Sequence, residues 1–529
     1  MNTITAILSL LDQSPPRPSS ASRLFRREPV LSWTLRRLAA SRSISNRTIL
    51  CWEDQLPNVR PIAAAHNCHI LSKSPRCVLP VLQAIAAARK WCDGWRGGLL
   101  AATSFDQGFH APWFNEIRQQ FHSDAVLIVD PDSALIDPAL IDSLIAYAQE
   151  HPRIDYCFSP AAPGLSAALI RANLLDQFAS SNGYLGRLLN YFPDLTGRDP
   201  IARDECAPVP TSVARTTARF TLDSDRQISR MEHATLSLNG QLMQTHAQSL
   251  VAALANPSAS DSVPRDITLE LNTTRATQPV YSPSRYLPIS RPNLSLSNAR
   301  FLFADLATMD DIRLTLAGVG DPLLAPDLFG IIQSAHDAGI HSIHIETDLV
   351  NLDASALEEL AESPIDILSV HVPALTAPTY HKMMGIDALP AVINNLRQFL
   401  LHRQSLCRLT PIVVPTFTKC RDNLHEMESW YDHWLRAVGC AVIAAPSDYA
   451  AQIPDQSVAD MSPPLRCACR RLSSRLCILC DLSIVPCEQD ILGRQPLADL
   501  RDVSLRRAHA ANNFTSHPLC PRCRDWHRP

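Results

Sequence analysis

Glycine is scarce in this chain, 16 of 529 residues, or about 3% against a usual share of roughly 7%. None precedes Gly94, so the opening stretch holds no glycine-built cradle of backbone N–H groups for a phosphate. Long apolar runs are missing too. Nothing approaches the roughly 18 uninterrupted apolar residues of a membrane-spanning helix. The apolar start ITAILSLL has no basic lead-in and continues into DQSPPRPSS rather than a small-residue cleavage site. A cytoplasmic location with no membrane partner is the expectation. Charge of one sign is also lacking: 48 Lys and Arg face 52 Asp and Glu, a net charge of −4, and the basic residues form no run that would track a phosphate backbone. Nucleic acid is therefore not an expected partner, which leaves a protein or small molecule that the sequence does not name. Cysteine is absent from 207 to 406, yet seven of the 16 (Cys467, Cys469, Cys477, Cys480, Cys487, Cys520 and Cys523) fall at the end of the chain. In a reducing compartment such crowding reads as metal-binding or catalytic before it reads as disulfides.

A chain of 529 residues exceeds the roughly 250 to 300 at which one core stops growing, so several domains are expected. Residues 1–204 alternate strand-like and helix-like patterns. Strands are read at ITAILSL (4–10), RTILCW (47–52) and DAVLIVD (124–130), and the Asp137-Pro138 pair suits a helix N-cap and first position. The expectation is an α/β domain with a parallel sheet. From 205 to 264 Pro, Ser and Thr increase and periodicity weakens, which reads as a linker with some helix inside it. A second alternation, 265–455, has strand candidates DITLELNT, RLTLAG, HSIHIET, DILSVHV, RLTPIVV and AVIAA. Six βα-like units predict a parallel barrel or part of one. Residues 456–529 form a small Cys-rich domain.

The sequence TLAGVGDPLLAPDL (315–328) places Gly318, Gly320, Asp321 and Pro322 at the carboxyl end of a strand, where parallel folds put ligands. From spacing alone, a plain βα turn is the favoured reading.

The order LELNTTR, then GVGDP, then HIETD resembles the radical S-adenosylmethionine enzymes. In that superfamily a Gly-Gly-Glu-Pro loop after the second strand binds the methionine amino group. The resemblance implies Gly318, Gly320, Asp321 and Thr347 as cofactor-binding residues and S-adenosylmethionine as their ligand. It also implies three cysteines spaced CxxxCxxC after the first strand. Here TTRATQPVYSPSR (273–285) has Ala276, Pro279 and Ser282 in that region. Alanine and proline carry no side-chain donor for iron, and serine is a poor substitute for a thiolate. Reductive cleavage of S-adenosylmethionine is therefore not expected, and no catalytic residue is assigned.

The tail, CACRRLSSRLCILCDLSIVPCEQD followed by HPLCPRCRDWHRP, resembles a SPASM or shortened twitch extension. This implies Cys469, Cys487, Cys520 and Cys523 as ligands of one auxiliary 4Fe-4S cluster, with Leu482 where the family has glycine. Two alternatives stand beside it: a structural zinc site on Cys477, Cys480, Cys520 and Cys523, and buried cysteines with no metal.

Residues 22–40 and 126–145 resemble the sugar cytidylyltransferases, which implies a Rossmann-like nucleotidyltransferase fold and places Asp132 on that family's Mg²⁺-holding Asp. The matching nucleotide loop, LDQSPPRPSSASR, has Pro15, Pro16 and Pro18, which remove N–H donors. The function expected of the whole is a cluster-binding, electron-transfer or enzyme-supporting role. The alternatives are an active enzyme of polysaccharide or peptide modification and a structural zinc tail.

Overall fold

The computed structural model describes residues 1–13, 17–74, 79–181, 183–190, 199–238, 240–254, 263–467, 469, 471–510 and 517–528. It divides into two compact units, Met1–Ser260 and Asp261–Pro529. Each is mixed α/β with a mainly parallel sheet.

In the first unit, β1 (Ile4–Ser9), β4 (Asn46–Trp52), β5 (His69–Lys73), β6 (Ala125–Val129), β7 (Tyr156–Cys157) and β8 (Ala168–Arg171) form one sheet in the order β5-β4-β1-β6-β8-β7. A small hairpin of β2 (Leu24–Phe25) and β3 (Glu28–Pro29) stands apart. Strand β1 pairs in parallel with both β4 and β6, while β8 runs antiparallel to β6. Every residue of β1 and β6 is buried. Ile4, Ala6 and Leu8 face one core and Ile7 the other, and such two-sided burial is why these strands read as near-continuous apolar runs. Asp137 caps the helix Pro138–Glu150 and accepts from the Ala139 N–H, as the sequence predicts.

The segment from 205 to 264 is not a plain linker. Helices Thr211–Arg215, Asp225–Ala234 and Ala247–Leu254 carry Val213, Met231 and Leu250, which pack with Phe220, Leu222 and Leu242 against Phe25, Val30 and Trp33. Its apolar residues are too irregularly spaced among Pro, Ser and Thr to show a period, yet they complete the core of the first unit. Most of ANPSASDSVP lies outside the described residues.

In the second unit, β9 (Asp266–Leu269), β10 (Arg313–Leu316), β11 (Ser342–Thr347), β12 (Ile367–His371), β13 (Ile412–Thr418) and β14 (Val442–Ala444) are parallel neighbours in chain order. Strand β15 (Arg475–Ile478) then pairs in parallel with β9, and β16 (Ser483–Val485) and β17 (Ala498–Asp499) extend the sheet antiparallel. The Cys-rich tail thus continues the sheet instead of folding beside it. Alternation gives the sheet two characters. Ile267, Leu269, Leu314, Leu316, Ile343, Ile345, Leu368 and Val370 share one core with Leu302, Phe303, Ile331, Ile332, Leu396 and Phe399 of three helices. Thr268, Thr315, His344, Glu346, Ser369 and His371 fall on the other, polar face.

Candidate functional site

The GVGDP loop is occupied by the protein's own groups. Asp321 is buried at 3% exposure. It caps the turn Pro322–Leu324, where its Oδ1 accepts from the Leu323 N–H at 3.0 Å. Its Oδ2 accepts from Thr347 Oγ1 and from the Asp348 N–H, both at 2.9 Å. Asp321 and Thr347 are thus brought together, bonded to each other. The two glycines permit close packing. A Cβ on Gly318 would lie 2.7 Å from Glu270 Cγ, and one on Gly320 would lie 2.1 Å from Asn272 Oδ1. Asn272 in turn donates to the Asp321 carbonyl at 2.8 Å and accepts from the Thr274 N–H at 2.8 Å. The loop therefore clamps the carboxyl end of β9 to that of β10.

The stretch after β9 is tied down by charge. Arg275 pairs with Asp348 at 3.2 Å, with side chains 7% and 1% exposed. Asp348 also accepts from Thr277 Oγ1 and contacts His371 Nδ1 at 3.0 Å. The N–H groups of Gln278 and Val280 bond the Met384 and Met383 carbonyls at 2.8 and 2.9 Å. Burial alone would raise the Asp348 carboxyl, but Arg275 and His371 outweigh it and hold the group below the ordinary carboxylate range. Burial and then the charge of Asp348 push the Asp321 carboxyl up. Ala276 packs against the core and Ser282 caps the turn Pro283–Arg285. None of these side chains offers a thiolate, so the donor set does not fit an iron cluster here.

The tail cysteines divide. Cys469, Cys487, Cys520 and Cys523 line one cavity together with His517, Gln489, Asp525 and Trp526. Backbone N–H groups point at two of the sulfurs, Asp525 to Cys523 at 3.3 Å and His517 to Cys520 at 3.4 Å. His517, 9% exposed, leaves its Nε2 without a hydrogen-bond partner. Burial pushes the Cys487 thiol up, and Glu488, Cys523 and Cys520 add to it. Cys523 is pushed up to about 11 by burial, Asp525, Cys469 and Cys520. Among the described residues no three His, Cys, Asp or Glu side chains already stand close enough to grip an ion. The donor chemistry nevertheless fits a soft metal: four thiols around one space, with N–H donors to the sulfurs and the His517 imidazole nitrogen, 3.9 Å from Asp490 Oδ2, beside them.

Cys477 and Cys480 are not part of this group. Cys477 faces a different cavity, and Cys480 donates its Sγ–H to Glu270 Oε1 at 3.2 Å. The pairing of Cys477 and Cys480 with Cys520 and Cys523 is therefore not assembled. Leu482, where the resemblance expects glycine, keeps the left-handed conformation at φ 72°. That conformation costs a leucine roughly 1–2 kcal/mol, offset by its burial at 2% exposure.

A second site, of which the sequence singled out only Asp132, lies in the first unit. The direction of sheet growth reverses between β1 and β6, and the carboxyl side of such a switch point is where open α/β sheets bind ligands. Asp12 and Gln13 follow β1, and Asp130 and Asp132 follow β6. Gln13 donates to Asp132 Oδ2 at 2.8 Å, and the Asp132 N–H donates to Asp130 Oδ1 at 2.9 Å. The Leu222 N–H bonds the Asp132 carbonyl at 2.9 Å, which draws in Asp223, paired with Arg219 at 2.5 Å. Asp223 Oδ1 is buried without a partner. Burial, then Asp130 and Asp223, raise the Asp132 carboxyl far above its usual range, against the pull of Arg23. Such crowding fits a bound cation. The signal available in the sequence was the pair of aspartates closing DAVLIVDPD. Of the nucleotide-loop prolines, Pro15 and Pro16 lie outside the described residues. Arg23 pairs with Asp225 at 2.7 Å.

No protein-family model matches the chain. It is 24% identical over 299 residues to an uncharacterized protein of Treponema pallidum, covering 52% of this chain and 81% of that protein. It is similar to SuiB of Streptococcus suis bound to S-adenosylmethionine, at 13% identity, 54% of this chain, 75% of that chain and TM-score 0.37. It is also similar to a cytidylyltransferase from Leptospira borgpetersenii, at 14% identity, 49% of this chain, 98% of that chain and TM-score 0.34.

Proposed function

We propose that the second unit is a radical-SAM-like partial barrel that has lost its radical-generating cluster and carries one auxiliary, SPASM-type 4Fe-4S centre on Cys469, Cys487, Cys520 and Cys523. Its role is then electron transfer or support of a partner enzyme. The observation that carries this reading is the gathering of those four cysteines around one cavity while Cys477 and Cys480 turn elsewhere. The cluster would supply a one-electron couple; the chain supplies thiolates, two N–H donors that stabilise them, and burial under Trp526 that limits water. Ala276, Pro279 and Ser282 leave the other cluster without ligands, and the Arg275–Asp348 pair holds that stretch instead.

Anaerobic purification with iron, sulfide and zinc analysis tests the proposal. One 4Fe-4S equivalent, with a broad visible absorption shoulder bleached by dithionite, is the expected result. Alanine at any of the four cysteines should abolish it, while Cys477→Ala should retain it. One equivalent of zinc with no sulfide would replace the cluster reading by a structural zinc tail. Full metal content in the Cys469→Ala and Cys487→Ala proteins would remove the ligand assignment altogether.

A second reading, for the first unit, is favoured by the unpartnered oxygen of Asp223 beside Asp130 and Asp132. Divalent-cation-dependent nucleotidyl transfer is the chemistry those carboxylates would serve.

A further inference from the structure

We propose that the second unit binds a small zwitterion, of the size of one amino acid, through Glu346 and Arg475 on the polar face of its sheet. The proposal does not rest on either metal reading.

Register decides which side chains meet there. Leu476 stands beside Ile267 and Cys477 beside Thr268 in the β15–β9 pairing. Leu476 and Ile267 belong to the helix-covered core, so Arg475 and Cys477 share the opposite face with Thr268. On β11, Ile345 is buried in that core while Glu346 lies on the opposite face. These residues, with Thr315 and Tyr449, line a cavity of about 260 Å³. Taking about 30 Å³ per water, that is room for about nine waters, close to the bulk of one amino acid. Gly318 and Val319, which follow β10, border it, so it opens at the carboxyl ends of the strands, where parallel sheets place ligands.

Most charges on the wall are already answered. Glu270 takes Arg291 through two bonds at 2.8 and 2.9 Å. Glu488 takes Arg471. Asp490 accepts from the Arg494 and Gln495 N–H groups at 3.1 and 3.0 Å. Glu346 and Arg475 remain, each without a hydrogen bond or ion pair among the described residues, and no ion pair joins them to each other. One unanswered carboxylate and one unanswered guanidinium across a small recess ask for a ligand with an ammonium at one end and a carboxylate at the other. The planar fork of arginine suits the carboxylate. A ligand carrying only one of the two charges leaves the other protein charge uncompensated, and that selects against simple amines and simple acids. The hydroxyls of Thr268 and Thr315 add polar contacts between the two ends.

The test uses the full-length protein and the twenty standard amino acids, screened by saturation-transfer NMR at about 1 mM, where even a binder of about −4 kcal/mol is seen. The tightest is then titrated beside its carboxamide and its N-acetyl derivative. Each derivative should bind about ten- to a hundredfold more weakly, the worth of one charged hydrogen-bonded contact. Glu346→Gln should weaken the free amino acid and the carboxamide alike. Arg475→Gln should weaken the free amino acid and leave the carboxamide unchanged. Neither side chain holds the fold together, so melting curves and metal content should match the wild type, which separates this result from any failure of the cluster reading. Binding by none of the twenty, or affinity unchanged in both variants, or equal binding of the two derivatives and the parent, would overturn the proposal.

Discussion

The buried pair Arg275–Asp348 offers the sharpest quantitative test of what fixes the stretch after β9 in the second unit. Asp348→Asn leaves the Arg275 guanidinium in a pocket where its side chain is 7% exposed, with no counter-charge at 3.2 Å. Removing one partner of a buried pair costs about 3–5 kcal/mol, because the remaining charge keeps its desolvation penalty. Against a typical total stability of about 5–15 kcal/mol, that is a large share. Arg275→Met should cost a similar amount, since it strands Asp348 with only Thr277 and His371. The double variant should cost less than the sum by at least about 1 kcal/mol, because no charge is then left unpaired. Urea titration read by amide exchange of peptides spanning 342–348 and 367–372 isolates the second unit. A loss under about 1 kcal/mol for Asp348→Asn, or strict additivity in the cycle, would refute the reasoning. The pH dependence has a definite sign. The Asp348 carboxyl is depressed in the fold, so its contribution is present above the unfolded value of about 3.9 and is lost as pH falls through the lower folded value. Asp321 is shifted the other way and contributes a cost that appears as pH rises from that same value. Asp348→Asn should therefore flatten the acid limb of the stability curve.

Reduced protein incubated with S-adenosylmethionine should yield no 5′-deoxyadenosine above a protein-free control, since residues 273–285 contain no cysteine; protein-dependent product would defeat the lost-cluster reading. In the first unit, Mg²⁺ or Mn²⁺ should raise the melting temperature, with saturation at about 100 times Kd worth about 2.7 kcal/mol. Burial raises the carboxyls of Asp130 and Asp132, with Asp12 and Asp223 adding at the former and Asp130 and Asp223 adding at the latter, so folding is penalised as they ionise with rising pH. The cation effect should accordingly grow from pH 6 to pH 8 and vanish in Asp132→Asn; a pH-independent effect, or one retained in that variant, would show that the ion binds elsewhere.

What the sequence could and could not reveal follows from how each residue is used. Strands were legible wherever alternation or a continuous apolar run marks burial: RLTLAG contains Arg313–Leu316 and HSIHIET contains Ser342–Thr347. The Asp137-Pro138 cap was legible because it acts locally. The core role of Phe220, Leu222 and Met231 was not, since their spacing in a Ser- and Thr-rich stretch carries no period. Asp223 was invisible for a related reason: it reaches Asp132 only through the Leu222 backbone bond, about ninety residues away in sequence. GVGDP shows a subtler limit. Its glycines could be read as room for a ligand or as room for protein, and at Gly320 the space a Cβ would occupy lies only 2.1 Å from Asn272 Oδ1.

The same loop bears on why so many buried charges gather at the carboxyl ends of these strands. A long connection from β9 to the turn at Pro283 needs something to fix its path. In a cluster-bearing chain, metal–sulfur bonds would do this. Here the ties are polar: Arg275 and Thr277 to Asp348, Gln278 and Val280 to the carbonyls of Met384 and Met383, and the Asp321 N–H to the Thr274 carbonyl at 2.8 Å. An apolar filling of the same volume would avoid the desolvation cost of the ion pair, but it would fix neither the direction nor the register of the loop. Asp321 and Asp348, joined through Thr347 and the Asp348 N–H, thus couple the GVGDP loop, the ends of β11 and β12, and the stretch that follows β9 into one hydrogen-bonded unit. That unit ties down the carboxyl end of the sheet beside the cavity of Glu346 and Arg475, where a small ligand would need an ordered wall.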